Sequence, residues 1–318
     1  MLNHKILVSV EDLRKQYRSK TGNKWIRIAE DRNLVKNFLI NRIFIIFNNH
    51  DCFVSFMVKM VKLMPVLFIG HGSPMNAIED NEYTKVWSKI AKDINEKFSR
   101  PKCILCISAH WLKDSTAVLS TKNPKIIHDF YGFPKGLYDV QYPASGSIEY
   151  ARLVKDIIKT IDVKLDDSWG IDHGTWSVLV HMYPKADISV IQLSINPELP
   201  LETHIKIGNE LSELRKKGFL IIGSGNIVHY LAMMRLSGGA FPWAIEFDEY
   251  IQKSLENKNL ENLLNYKKHK FAKYAVPTND HYIPLLYVAG VSLSETPTFY
   301  CQKIFYSSLS MTCVSYGL

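Results

Sequence analysis

Hydrophobic residues after Met64 fall into two alternating patterns. Short continuous apolar runs, typical of buried strands, alternate with longer segments in which apolar residues recur at helical spacing. The predicted strands are residues 66–69, 103–108, 188–193 and 219–223, with a further strand near 305–314. The predicted helices are residues 83–98, 148–161, 201–217 and 243–255. This alternation predicts an α/β fold: a single domain with a central mostly parallel or mixed sheet, flanked by helices on both faces.

Residues 1–63 do not share this alternation. They hold 12 Lys and Arg residues against 5 Asp and Glu residues, so this segment carries +7 of the formal net charge of +8. The rest of the chain is close to neutral. We therefore expect no nucleic-acid partner, because a broad nucleic-acid surface needs many basic contacts to phosphates.

The apolar run at residues 38–47 is interrupted by Asn41 and Arg42. It is shorter than the ~20 residues that a membrane-spanning helix needs, and no signal-peptide cleavage site follows it. Three methionines cluster just before the first predicted strand. We therefore expect a catalytic domain of residues 64–318, with no membrane partner. Residues 1–63 are expected to be a basic N-terminal extension that is poorly ordered or a gene-start artefact.

The five cysteines include a Cys-x-x-Cys pair, Cys103 and Cys106, which is a spacing that zinc and redox sites also use. The pair lies within a predicted strand, where residues three apart point to opposite faces. We therefore expect both thiols to fill the core. An odd number of scattered cysteines is typical of a reducing cytoplasm. A domain of this size is expected to be a monomer or a small homo-oligomer.

Four of the 11 histidines lie beside predicted strands or in polar loops. His71 and His110 directly follow strands. His229 comes shortly after a third strand, and His281 lies in a polar loop. In open α/β sheets, ligands bind beyond the carboxyl ends of the strands, where imidazoles from several strands can converge on a metal ion. One such histidine is usually structural, but four with neighbouring Gly, Ser and Asn predict a metal site.

The remaining histidines give weaker signals. His181, His204 and His269 lie in segments that look helical or surface-exposed, where a solvated imidazole is the default. His173 belongs to a short segment rich in glycine and tryptophan. Two interpretations stay open for it: a loop histidine capped by Asp172, or an acid–base or substrate-binding group.

Six motifs in the chain form a recognisable set. They are Gly70-His-Gly-Ser-Pro74, Ser108-Ala-His-Trp111, His128-Asp-Phe-Tyr-Gly-Phe-Pro134, Asp172-His-Gly-Thr-Trp176, Gly223-Ser-Gly-Asn-Ile-Val-His229 and His281-Tyr-Ile-Pro-Leu-Leu-Tyr287. In these motifs the chain, from about Met64 to its C-terminus, resembles the DOPA-dioxygenase-type branch of the class III extradiol dioxygenases. Residues 1–63 lie outside the resemblance.

The resemblance implies one mononuclear metal site held by His71, His110 and His281. It implies that His229 is a fourth ligand or an acid–base group, and that His173 lines the same pocket. The larger superfamily commonly binds Fe(II) with two histidines and a carboxylate, and His281 takes the place of that carboxylate here. An all-histidine set suits both Zn²⁺ and Fe²⁺. We expect iron as the catalytic metal and zinc as an occupant of the isolated protein.

The implied reaction is extradiol ring cleavage of a DOPA-like catechol by O₂. The catechol chelates the metal through both oxygens, and His229, or secondly His173, accepts a proton. Two other classes of function are alternatives. One is a zinc-dependent hydrolase with Asp172 or Asp280 as its general base. The other is a non-catalytic metal-binding protein on the same fold.

Overall fold

The computed structural model describes residues 62–318 and, of the preceding chain, only the strands β1 (Ile43–Phe44) and β2 (Ser55–Phe56), which pair antiparallel. The predicted extension of residues 1–63 lies almost wholly outside the described residues and stays a prediction. Within the described part of the chain, none of the helices combines the length and apolar character that crossing a bilayer requires.

Strands and helices alternate along residues 62–318. The strands are β3 (Val66–Gly70), β4 (Cys103–Leu112), β5 (Thr116–Leu119), β6 (Lys125–Ile126), β7 (Val163–Asp166), β8 (Gly170–Ile171), β9 (Ser189–Ile195), β10 (Phe219–Gly225), β11 (Pro297–Tyr300), β12 (Ile304–Phe305), β13 (Leu309–Ser310) and β14 (Cys313–Tyr316). The helices are α1 (Glu82–Lys97), α2 (Lys135–Tyr138), α3 (Ile148–Ile157), α4 (His173–Met182), α5 (Leu201–Leu211), α6 (Glu213–Lys216), α7 (Pro242–Glu256), α8 (Leu260–Leu264), α9 (Ala272–Ala275) and α10 (Ile283–Val291). Short 3₁₀ helices span Pro74–Ala77, Leu231–Met233 and Tyr266–Lys268.

One mixed sheet of eight strands has the order β11-β14-β3-β10-β4-β9-β5-β7. Its central strands β3, β10, β4 and β9 are parallel, so their carboxyl ends meet at one edge of the sheet. Strands β14 and β5 pair antiparallel with this central group. Strands β6 and β8 form a separate two-residue parallel ladder.

Alternate side chains of the central strands face two hydrophobic cores. Phe68 packs in one core with residues of α3, α5, α7 and α10, whereas Ile69 packs in the other core with residues of α1 and α4. The predicted α/β fold, a sheet with helices on both faces, is therefore confirmed. Cys103 and Cys106 belong to different cores, which confirms that the two thiols do not converge.

Two predicted elements are interrupted in the structure. The predicted helix 201–217 is divided into α5 and α6 at Ser212, whose hydroxyl donates to the Asn209 carbonyl and competes with the helical backbone bonds. The strand predicted near 305–314 is instead three short strands, β12, β13 and β14. Tyr306 and Ser307 have φ values of 47° and 66°, in the left-handed region, and turn the chain there.

Helices α4 and α10 were not predicted, because neither exposes a polar face to solvent. Every residue of α10 and nearly every residue of α4 is buried. A helix that is buried on all sides has no apolar face opposite a solvated polar face, so its sequence gives no amphipathic repeat. Both helices matter for the site, since α4 begins at His173 and α10 begins two residues after His281.

Candidate active site

His71 follows β3 directly, at the carboxyl edge of the sheet. Its backbone N–H donates to the Gly225 carbonyl at 3.2 Å, which ties the ends of β3 and β10 together. Its Nδ1 lies 3.0 Å from Ser224 Oγ, and that hydroxyl donates to the Gly174 carbonyl. Ser224 therefore accepts the Nδ1–H of His71. This leaves the lone pair of the neutral ring on Nε2, in an imidazole that is 1% exposed.

His110 lies within β4, so the prediction that it follows the strand is wrong. Strand β4 continues to Leu112 because its register against β9 shifts after Ile107 and then resumes. His110 Nδ1 is 3.0 Å from Asp129 Oδ2, and its Nε2 is 3.2 Å from His71 Nε2. A carboxylate only accepts, so Nδ1 of His110 carries the proton. In the neutral rings, two nitrogen lone pairs then face each other, an arrangement that a shared cation stabilises.

His281 lies in the turn before α10. Its Nδ1 donates to the Asp280 carboxylate, and its Nε2 is buried without a hydrogen-bond partner. The His281 carbonyl accepts from the Asn226 N–H at 2.9 Å. A Cβ at Gly225 would lie 2.2 Å from this carbonyl oxygen, so only glycine allows the end of β10 to approach the His281 backbone this closely.

His71, His110 and His281 bring their ligand nitrogens together. One ligand atom from each lies within 4.8 Å of the others, and the ring centroids are 5.1–5.3 Å apart. Each ring uses Nδ1 to bind an anchoring oxygen, which leaves three Nε2 atoms as donors. Histidine ligands of metals are typically held in this way through their second nitrogen. The buried, unpartnered Nε2 of His281 and the three-nitrogen donor set fit one metal ion.

Two further histidines border this cluster. His173 is the first residue of α4, and its ring centroid is 3.8 Å from that of His110. The interpretation of His173 as a loop residue is wrong: Asp172 caps α4 by accepting the Thr175 N–H. The His173 ring is held instead by Asp129. His229 stacks on His281 with centroids 3.5 Å apart.

Burial and the nearby carboxylates set the protonation states of the cluster. Burial lowers the pKa of His71 and of His281, and it lowers the pKa of His229 to about 2, with a contribution from His281. For His110, burial acts in the same direction, but the hydrogen bond to Asp129 and other acidic groups outweigh it and raise the pKa. Burial alone would raise the pKa of Asp129, yet its bonds to two histidines hold that pKa far below its usual range.

Comparison with known proteins places this site in a known family. Residues 65–317 match the family described as the catalytic LigB subunit of aromatic ring-opening dioxygenase. The chain belongs to the LigB family. Dioxygenases of this family use a mononuclear metal site. The predicted resemblance to extradiol dioxygenases is confirmed, and so is the expectation that the chain is an aromatic ring-cleaving dioxygenase.

Individual relatives of this LigB chain are similar over most of their length. A protein of Escherichia coli K12 named 4,5-DOPA dioxygenase extradiol is 42% identical, over 80% of this chain and 95% of the relative. A Beta vulgaris protein with the same name is 37% identical, over 79% of this chain and 93% of the relative. The crystal structure of an uncharacterised Escherichia coli K12 protein superposes with a TM-score of 0.68 at 38% identity, covering 79% of this chain and 99% of that chain.

Sequence reasoning singled out all five histidines that the LigB fold brings together, but it missed Asp129 and Ser224 as partners of their rings. Both residues stand inside motifs quoted above. The signals that could have found them are that Asp129 directly follows His128 and that Ser224 directly follows the predicted strand 219–223. His204 was expected to be solvated and is instead fully buried in α5. Two more histidines, His4 and His50, belong to the basic segment of residues 1–63 and lie outside the described residues.

Proposed function

We propose that this LigB domain binds one metal ion through Nε2 of His71, His110 and His281, and that it cleaves the ring of a DOPA-like catechol in extradiol fashion with O₂. The observation that carries the proposal is the convergence of three imidazoles whose Nδ1 atoms are all held by anchoring oxygens. The names of the two most similar relatives quoted above support DOPA as the kind of substrate.

We propose Fe²⁺ as the catalytic metal and Zn²⁺ as an ion that the isolated protein also holds. When bound, iron supplies a redox-active Lewis acid at which a catechol and dioxygen can meet. Three protein ligands leave positions open for reactants, whereas four imidazoles would close a tetrahedral site. The three-donor cluster found among the described residues, which does not include His229, supports an open site.

His229 and His173 handle protons in this proposal. Burial lowers the pKa of His229, so its ring is neutral in the metal-free chain. Its role as a general base is proposed from its position against the ring of a metal-binding histidine. His173 donates through Nδ1 to Asp129, so its Nε2 is the nitrogen available to a catechol hydroxyl. Both rings adjoin metal-binding histidines, at centroid distances of 3.5 and 3.8 Å.

The carboxylates argue against the hydrolase alternative, which needs a free general base. Asp172 is fully buried and accepts from Ser108, Gln192 and Trp169. Asp280 accepts from His281 Nδ1. Both carboxylates are therefore already engaged as hydrogen-bond acceptors, which argues against either of them as the general base.

The test uses metal-free protein that is loaded with Fe(II) or Zn(II) under anaerobic conditions, mixed with L-DOPA and then exposed to air. The iron form is expected to consume O₂ and DOPA in equal amounts and to form a yellow semialdehyde, while the zinc form consumes no O₂. His71→Ala should abolish O₂ uptake. His269→Gln, which alters a histidine packed against Phe247 and Tyr250, should retain it. The proposal is wrong if the iron form consumes no O₂ with DOPA or with any other catechol tested.

The four described cysteines are unpaired. Free thiols persist in a reducing compartment, and we therefore infer a cytoplasmic location for the protein.

A further inference from the structure

Asp129 contacts two histidines that have different proposed roles. Its Oδ2 accepts from His110 Nδ1 at 3.0 Å, and its Oδ1 accepts from His173 Nδ1 at 2.8 Å. Oδ1 also accepts from the backbone N–H of His173 at 3.0 Å. The carboxylate is 18% exposed, which limits the water that could replace these bonds.

The position of Asp129 is set by the short ladder between β6 and β8. The register pairs Ile126 with Ile171, and the Ile127 N–H continues the contact by donating to the Ile171 carbonyl at 2.9 Å. The Trp176 indole N–H of α4 donates to the Ile127 carbonyl at 2.9 Å. These bonds hold the segment that carries Asp129 beside the start of α4. The Asp129 carboxylate therefore contacts both His173 of α4 and His110 of β4.

We propose that Asp129 is a positioning residue that fixes the tautomer and orientation of a metal-binding histidine and of an acid–base histidine with one carboxylate. Because both Nδ1 atoms donate to Asp129, both neutral rings must carry their lone pair on Nε2. His110 then presents Nε2 as a metal donor, and His173 presents Nε2 as a proton acceptor. The inference rests on the proposed function for these two roles, but the tautomers can be measured without it.

Asp280 provides the natural comparison. It is also a carboxylate that accepts a hydrogen bond from the Nδ1–H of a histidine. Its ring partner is His281, a proposed metal ligand, and the bonds found among the described residues give it no second imidazole. Loss of Asp280 should therefore disturb metal binding, whereas loss of Asp129 should disturb metal binding and proton transfer together.

The same three residues could instead form a second metal site, and the experiment must distinguish that site from positioning by Asp129. Ligand atoms of His110, Asp129 and His173 also lie within 4.8 Å of one another, which is close enough for a second metal ion. In that arrangement, the nitrogens facing Asp129 would be unprotonated and would bind the ion. Positioning by Asp129 requires N–H groups there instead, so the two arrangements differ in the number of metal ions that the chain binds.

The direct test is long-range ¹H–¹⁵N NMR of the histidine rings in metal-free protein at pH 8.5, with signals assigned from His110→Gln and His173→Gln spectra. Both rings are expected to be protonated on Nδ1 in the unmodified chain. An Nε2–H tautomer at either ring overturns the proposal. Titration with Zn(II) should give one ion per chain, and two ions per chain, reduced to one by Asp129→Ala, would support the second metal site instead.

Variants extend the test to both roles. In Asp129→Asn the amide oxygen should still accept from the two N–H groups of His173. The amide NH₂ should then donate to Nδ1 of His110, so that the ring proton of His110 moves to Nε2. Asp129→Ala should release both rings. Each variant, like Asp280→Ala, should weaken Zn(II) binding by about 10–100-fold.

Activity at saturating Fe(II) separates the two carboxylates. Asp129→Ala should lower kcat by about 10²–10⁴-fold, because the His173 ring is no longer held in place for proton transfer. The acidic limb of the pH dependence of kcat should shift for the same reason. Asp280→Ala should keep the shape of that profile. An unchanged His173 tautomer in Asp129→Ala contradicts the inference. If the tautomers behave as expected and no catechol is cleaved, the proposed function fails and the positioning role stands.

Discussion

The His229 imidazole lies flat against the His281 imidazole, with centroids 3.5 Å apart and 7° between the ring planes. The two rings are held differently. His281 is fixed by Asp280 through Nδ1, whereas His229 is fixed through its backbone N–H, which donates to the Ala275 carbonyl at 2.8 Å. Burial lowers the pKa of both. A neutral His229 ring is therefore held against the ring of a proposed ligand, which is the position from which we propose that it accepts a proton.

This relationship predicts different results for the two histidines. His229→Gln should keep one metal ion per chain and should lower kcat with L-DOPA by about 10²–10⁴-fold, because a positioned general base is lost. His281→Gln should lose the metal. Metal content by mass spectrometry and kcat of the iron-loaded protein check both expectations. Loss of metal from His229→Gln would identify His229 as a ligand.

Ser224 offers a test of how His71 is oriented. Removing the hydroxyl in Ser224→Ala takes away the acceptor for His71 Nδ1–H, so metal affinity should fall by about 10–100-fold. Ser194→Ala is a matched control, because this buried serine of β9 bonds Ala117 and Ser115 and lies outside the histidine cluster. Both variants should lose about 1 kcal/mol of unfolding free energy. Equal metal affinities, measured by competition with a chelator, would contradict the role of Ser224.

The fold was predictable where each strand or helix has a distinct periodic pattern. Buried parallel strands such as β3 and β10 read as continuous apolar runs, and α1 and α7 expose one polar face. Helices α4 and α10 were not predictable in this way, since burial on all sides removes the helical repeat. The division of helix 201–217 depends on one serine hydroxyl, a local bond that periodicity does not report.

The site was predictable from strand ends and motifs only in part. His71 and His229 could be grouped because parallel strands end at the same edge. Asp129 could not be paired with His173 by pattern, because 44 residues separate them and the two-residue ladder that joins them has no periodic signal. The oxygen that anchors His71 also comes from a distant residue, Ser224, whereas Asp280 directly precedes the histidine that it anchors.

Gly225 should tolerate no side chain. A Cβ there would lie 2.2 Å from the His281 carbonyl oxygen, so Gly225→Ala must displace the backbone that carries a proposed ligand. We expect a loss of about 1–3 kcal/mol in unfolding free energy, as overpacking usually causes, and a loss of metal. Gly136→Ala in α2 is the control, since a Cβ there has no atom within 4 Å. Urea unfolding and metal content are the measurements, and equal stability of the two variants would contradict the close approach.

The buried His204 should make the free energy of unfolding fall as the pH becomes acidic. Its ring is fully buried, both nitrogens lack partners, and burial lowers its pKa to about 4. An unfolded histidine titrates near ~6.5, so between pH 6.5 and 4 the unfolded chain binds a proton that the folded chain refuses. The stability contributed by this group is complete above pH 6.5 and is lost as the pH falls through that window. Between pH 7 and 5 the loss from His204 alone is about 2 kcal/mol.

The variant His204→Phe removes this titration and keeps an aromatic ring beside Tyr287, whose ring centroid is 5.2 Å away. Its unfolding free energy should therefore fall by about 2 kcal/mol less than that of the unmodified chain between pH 7 and 5. The comparison requires metal-free protein, because metal binding to the site histidines is itself pH-dependent. Urea unfolding at both pH values measures the difference. The same pH dependence in both proteins would mean that His204 is protonated equally in the folded and unfolded chains.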